Sequence, residues 1–252
     1  MNSLPSPLLA ALVAVVAFLY ASVGFGGATG YLAVMSQFGI APAVMASTAL
    51  VLNIFVAGIA FINYTRAGHL EKRLLIPFLI TSVPLAFIGG YFKLTDDFYY
   101  ILLYAVLTYV MFTMLFAHKG TVDESARLRP FPPWLALTCG AGIGLLSGMV
   151  GIGGGVFLSP LIILTRWGTP KQAAATAAGF ILLNSVSGLL GRLLGGNLVL
   201  GTFGPALLPV GILGALAGSY LGARWFSGLW TRRILGMVLL VAIVNYVVGR
   251  FR

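Results

Sequence analysis

A glycine-rich interruption occurs twice, once in each half of a very apolar chain: Gly24-Phe25-Gly26-Gly27 and Gly151-Ile152-Gly153-Gly154-Gly155. Each cuts a hydrophobic run that is otherwise long enough to span a bilayer. Glycine loosens a helical backbone. Broken backbone at membrane depth is tolerated only where it is buried in protein or lines a cavity. Two such breaks at corresponding places in two halves point to the binding site of a transporter.

Composition sets the solvent. Of the 252 residues, 60% are hydrophobic and only 8% charged, against about 25% charged in a soluble domain. Such a chain cannot cover a water-facing surface. Its apolar stretches are continuous rather than alternating, which excludes a β-barrel and leaves an all-α polytopic membrane protein. The net charge of +10 does not indicate nucleic acid, because the basic residues sit in short loops between apolar runs. The first run has no basic stretch before it, so a cleaved signal peptide is not expected. Cys139 stands alone in an apolar run and reads as a small buried residue.

Eight apolar segments are expected, at Pro7–Ser36, Pro42–Asn63, Leu74–Phe92, Phe98–Ala117, Trp134–Thr165, Ala173–Leu194, Phe203–Phe226 and Ile234–Val248. A polar stretch with His118, Lys119, Asp123, Glu124, Arg127 and Arg129 divides them. The implied organisation is an N-terminal repeat over 1–117, a cytoplasmic linker over 118–133 and a C-terminal repeat over 134–252. The glycine motifs match at an offset of 127 and Thr48 matches Thr176 at 128. Pro84 with Gly89 matches Pro209 with Gly214 at 125, and Asn53 matches Asn184 only with three extra residues.

Charge distinguishes two topologies. If all eight segments cross, six of the 15 Lys/Arg lie outside. If the first and fifth segments instead dip in and return, only Lys93, Arg192, Arg250 and Arg252 lie outside, and the halves become inverted repeats. The positive-inside rule favours the inverted arrangement, with broken or re-entrant first and fifth segments. A long broken helix that still crosses is the alternative, since Leu8–Val23 alone would span about 24 Å.

Each break frees N–H groups at the start of the following half-helix, a ready site for an anion. The substrate-binding residues expected are Gly24, Gly26 and Gly27 with Ser22 and Thr29 in the first half, and Gly151, Gly153, Gly154 and Gly155 with Ser147 in the second. Ser159 also flanks the second break. Thr48 and Thr176 follow Pro42 and Pro170, which suit helix starts, with Ser47 and Gln172 near them. Asn53 and Asn184 must face the interior. Close helix packing through small residues competes with the ligand reading at every one of these positions. Arg192 lies near a segment end and is expected to snorkel to the interface; Lys171 reads as a loop residue. Trp134, Trp167, Trp225 and Trp230 fall at segment ends, as interfacial belts do.

All five acidic residues, Glu71, Asp96, Asp97, Asp123 and Glu124, lie in loops, so no embedded carboxylate is available as proton relay or sodium ligand. No nucleotide-binding, metal-binding or redox-cysteine motif is present. No catalytic residue, metal site or cofactor is therefore expected, and the chain does not read as an enzyme.

The two motifs, Ser22-Val23-Gly24-Phe25-Gly26-Gly27 and Ser147-Gly148-Met149-Val150-Gly151-Ile152-Gly153-Gly154-Gly155-Val156-Phe157-Leu158-Ser159-Pro160, resemble those of the TauE/SafE family, the sulfite exporter or toluene-sulfonate uptake permease family. The Ala/Thr/Asn-rich segments that follow them and the duplication extend the resemblance over almost the whole chain. It implies a multi-pass transporter of the bacterial inner membrane for a small sulfur-containing anion such as sulfite, a sulfonate, sulfoacetate or thiosulfate. The first motif departs from the fuller form, with Ala28 where the second has Gly155 and no proline at the matching distance. An anion channel, or a transporter of a carboxylate or another sulfur-free anion, fits the same residues. The lipid bilayer and the anion are the expected partners, a homodimer is an open possibility, and nucleic acid is not expected.

Overall fold

The structure, a computed structural model, describes residues 6–116, 129–200 and 203–225, with 233, 236, 237, 239–244 and 248 beyond them. Most of the expected linker, including His118, Lys119, Asp123, Glu124 and Arg127, lies outside the described residues, as do Trp230, Arg250 and Arg252.

The described elements are helices, in the order α1 (Pro7–Ala21), α2 (Ala28–Gln37), α3 (Pro42–Arg66), α4 (Lys72–Tyr91), α5 (Asp96–Leu115), α6 (Pro133–Val150), α7 (Gly155–Leu164), α8 (Pro170–Leu194) and α9 (Phe203–Arg224). The first seven expected segments are all present, and the first and fifth are each split in two at the glycines. Local chemistry sets the starts. The Ser6 side chain accepts from Leu9 N–H at α1. Proline opens α3, and α8 opens on proline with a Thr169/Gln172 capping box. Six helices, α3, α4, α5, α6, α8 and α9, are long and apolar enough to cross a membrane. Large apolar side chains such as Ile80, Ile101 and Leu213 stand exposed on the outside, which suits lipid rather than water.

The split segments fold back on themselves. The N–H of Arg129, before α6, donates to the carbonyl of Arg166, after α7, at 2.9 Å. The Phe131 and Trp167 rings lie 5.2 Å apart. Both ends of the α6–α7 pair are therefore together. On the α1–α2 pair, Thr29 Oγ1 donates to the Tyr20 hydroxyl at 2.9 Å, and Gly30 lies against Val16 and Tyr20.

Chain direction follows from residue pairs. Gly140 abuts Phe78, Gly144 abuts Ser82 and Gly148 abuts Ala86, so α4 and α6 run the same way. Gly191 abuts Phe87 and Gly195 abuts Tyr91, which places α8 parallel to α4. In the same manner Gly214 and Gly218 of α9 meet Ala14 and Phe18 of α1, and Asn63 of α3 donates to Ser219 of α9. Across the middle, α3 and α8 run in opposite senses: Gly58 lies beside Leu182, and Asn53 Nδ2 donates to Ser185 Oγ.

The close approaches are glycine against backbone, the membrane way of bringing helices into contact without a hydrophobic gradient. They also revise one sequence match. Gly89 abuts Leu145 as Gly218 abuts Phe18, and Phe18 and Leu145 share the motif offset of 127. Gly218, one turn beyond Gly214, is thus the counterpart of Gly89. The tryptophans also divide: Trp134 and Trp225 are exposed as a belt requires, whereas Trp167 is buried against Phe78 and Phe131.

A Cβ at Gly148 would run into the Ala86 carbonyl, whereas one at Gly142 would meet nothing within 4 Å. Gly148→Leu is expected to destabilise by about 1–3 kcal/mol or more through overpacking, and Gly142→Leu to leave stability nearly unchanged. Thermal melts of the detergent-purified variants check both.

Candidate functional site: two helix starts that meet at Asn53

Both breaks have the same construction. α1 ends at Ala21, and the chain turns through Ser22–Gly27; α6 ends at Val150, and the chain turns through Gly151–Gly154. The residues before α2 and α7, Gly27 (φ 95°) and Gly154 (φ 79°), are left-handed and give no side-chain cap. A side chain at either place would be strained. The first-turn amide hydrogens of α2 and α7 have no carbonyl four residues back to bond, and no side chain caps them inside the protein; Phe157 N–H alone turns to the Gly154 carbonyl, at 3.1 Å. Ala28 and Gly155 are both buried. Each start carries the positive end of its helix dipole.

The two breaks come together. Gly26 lies against Asn53 and Ile181, and Gly153 against the same two side chains plus Ser185. The fully buried Asn53 amide stands between them: Nδ2 donates to the Ile152 carbonyl at 3.1 Å and to Ser185 Oγ at 3.4 Å, while Oδ1 has no partner and lies on the Gly26 side. Each break also rests on the other half. Gly24 abuts Ala174 at the start of α8, and Gly151 abuts Ala46 at the start of α3. Thr176 and Thr48 lie just beyond those alanines.

The remaining expected residues divide by what their polar atoms do. Thr48 Oγ1, Thr176 Oγ1, Ser147 Oγ and Ser159 Oγ are fully buried and lack any hydrogen-bond partner. Such groups cost free energy unless something else completes them. Ser22 Oγ donates to the Leu19 carbonyl, and Thr29 to Tyr20. Asn184 Nδ2 donates to the Phe180 carbonyl of its own helix, leaving Oδ1 unpartnered. Gly155 packs on Ile181 and Ala177. The offset of 128 that joins Thr48 to Thr176 joins Asn53 to Ile181, not to Asn184, and the contacts agree, since Gly26 and Gly153 share both side chains.

The family model described as "Sulfite exporter TauE/SafE" matches residues 9–246. The chain belongs to the TauE/SafE family. It is similar to the probable membrane transporter protein y4hK of Sinorhizobium fredii, at 37% identity over 90% of this chain and 92% of that one. It also matches the probable membrane transporter protein YunE of Bacillus subtilis, at 26% identity over 81% and 80%. No solved structure matches it.

In this TauE/SafE protein Arg192 does not snorkel. It is 6% exposed, and its Nη2 donates to the Met149 carbonyl at 2.8 Å and more weakly to that of Gly148 at 3.5 Å. Tyr99 Oη donates to the Val150 carbonyl at 3.1 Å. Together they satisfy carbonyls at the end of α6 that have no helical partner. At the matching place in the first half, Tyr64 Oη donates to the Ser22 carbonyl at 3.0 Å. Sequence reading missed Ile181, Ser185, Tyr64 and Tyr99. The repeat offset, carried forward from Thr48, was the signal for Ile181.

Removing the Asn53 amide orphans the Ile152 carbonyl in a buried place. Asn53→Ala is expected to cost about 1–3 kcal/mol, whereas Ser22→Ala, which removes a bond to its own helix, should cost well under half of that. Midpoints of thermal unfolding separate the two.

Proposed function

We propose that this chain is a secondary transporter of a small sulfur-containing anion, such as sulfite, a sulfonate, sulfoacetate or thiosulfate, in the bacterial inner membrane. The architecture that goes with this reading is an inverted repeat, 1–117 and 134–252 about a cytoplasmic linker at 118–133, with α1–α2 and α6–α7 entering and leaving on the same side. The parallel runs α1, α3, α9 and α4, α6, α8, and the opposed senses of α3 and α8, support it. Positive-inside counting then sets the linker in the cytoplasm.

The observation that carries the reading is the meeting of two uncapped helix starts at Asn53, with unpartnered hydroxyls buried around them. The arrangement offers amide hydrogens and hydroxyls without a formal charge, so a bound anion is neither neutralised nor trapped. Among the described residues no acidic side chain lies mid-helix: Glu71 precedes α4, and Asp96 and Asp97 open α5. That disfavours a cation as cargo. In the conformation described the breaks close on each other, so transport needs them to part, first toward one side and then the other, as alternating access requires. The sulfur class rests on the family description. The geometry alone also accepts a carboxylate, which keeps lactate in the test.

Purified protein is expected to gain thermal stability with sulfite, thiosulfate or sulfoacetate, and less with taurine or lactate, because a ligand of the native state stabilises it by mass action. Uptake into proteoliposomes should saturate; flux that rises linearly with concentration would indicate a channel. Asn53→Asp, which sets a carboxylate between the helix starts, should cut uptake at least about tenfold while the protein remains folded. Undiminished uptake by that variant would remove the site assignment.

A further inference from the structure

One cavity lies outside the paired breaks. It is a recess of about 130 Å³ at the far ends of α4 and α8, closed by the α4–α5 turn and the first residues of α3. Met149, two residues before Gly151, contributes to its wall, and so do Lys93, Asp96, Tyr99, Arg192 and Asn197. In the inverted topology this end faces outside, where basic residues are disfavoured. Both described basic residues assigned to that side, Lys93 and Arg192, nevertheless line this one recess.

Arg192 is the informative member. Its guanidinium is buried, and Nε has no hydrogen-bond partner. It has no carboxylate partner either: Arg73–Glu71 is the one ion pair among the described residues. Asp96 lies on the same rim without pairing to Arg192 or Lys93, at the start of α5, where the helix dipole stabilises its charge. Burying an unpaired cation is costly, and capping a helix end does not require it. The other half shows as much, because Tyr64 performs the same cap on the Ser22 carbonyl with a neutral hydroxyl. The charge and the spare N–H of Arg192 are therefore surplus to the fold.

We propose that the recess is a second anion-binding subsite, outside the paired helix starts, in which Arg192 and Lys93 hold a small oxyanion before it reaches the Gly151–Gly155 break. The inference rests on the anion reading of the breaks. Arg192 supplies the directed contact, since a guanidinium presents N–H donors in a fork that suits oxyanions. Lys93, exposed on the rim, supplies attraction at longer range. An anion drawn in would compete with the Met149 and Gly148 carbonyls for the same guanidinium, so occupancy of the recess loosens the end of α6 that leads into the break.

The test measures sulfite uptake into proteoliposomes by wild type, Arg192→Tyr, Arg192→Lys, Lys93→Gln and Asn53→Asp. Arg192→Tyr copies the cap of the other half and is expected to melt close to wild type. Its half-saturating sulfite concentration should rise about tenfold or more with loss of a charged hydrogen bond, while the maximal rate changes less than about twofold. Arg192→Lys should recover much of the affinity. Lys93→Gln should raise half-saturation about threefold at low salt, an effect that fades toward 1 M salt, where the screening length falls to about 3 Å. Asn53→Asp should instead lose maximal rate. Wild-type half-saturation in Arg192→Tyr would reduce Arg192 to a helix cap and overturn the proposal. Should that variant fail to fold, an unchanged Lys93→Gln overturns it equally. A wild type that neither transports nor is stabilised by any of the anions would sink the prior reading of the breaks, an outcome distinct from both.

Discussion

A peptide group left unpaired in hydrocarbon costs several kcal/mol, and the layout of this protein follows from where it leaves such groups. Two helices begin in the interior without caps, at Gly27 and Gly154. They are sheltered because each break is seated on a helix of the other half, Gly24 on Ala174 and Gly151 on Ala46. The same exchange brings Asn53 between the breaks, where its Nδ2 holds the Ile152 carbonyl and its Oδ1 stays unpartnered on the Gly26 side. Each break is seated on the other half, so the candidate site and the union of the halves have one physical origin.

Much of this was legible in the chain. Seven segments and both interruptions follow from hydropathy and glycine alone, because in lipid a run of apolar residues has few alternatives to a helix. The fold-back of α6–α7 was favoured by counting charges, and the Arg129–Arg166 bond agrees with it. The repeat offset joins Thr48 to Thr176, and both hydroxyls are buried without a partner. It was less well applied to Asn53, since matching like with like drew in Asn184 when the spatial counterpart was Ile181. Residue type likewise matches Gly89 to Gly214, whereas the contacts match it to Gly218. Identity of residue type misleads between two halves of similar shape; constant offset along a helix is the better guide. Arg192 was misplaced for another reason. Sequence shows how far a cation lies from the end of its segment, but not that a neighbouring helix stops beside it and presents bare carbonyls.

The halves share geometry more than chemistry. Tyr64 and Arg192 do one job at matched places, as do Asn53 and Ile181 flanking the breaks, yet each pair sets a polar or charged group against a milder one. Equal backbone shapes let the two halves close on each other, while unequal side chains at matched places leave the two sides of the paired breaks chemically different.

The glycine contacts sort the helices into bodies. Backbone lies on backbone along α1 with α9, and along α4 with both α6 and α8. Each body draws helices from before the 118–133 stretch and from after it. The closely packed bodies of this molecule are thus not the two halves of its sequence: α9 is keyed to α1, and α6 and α8 to α4, while α3 and α8 cross in opposite senses through side chains such as Asn53 and Leu182.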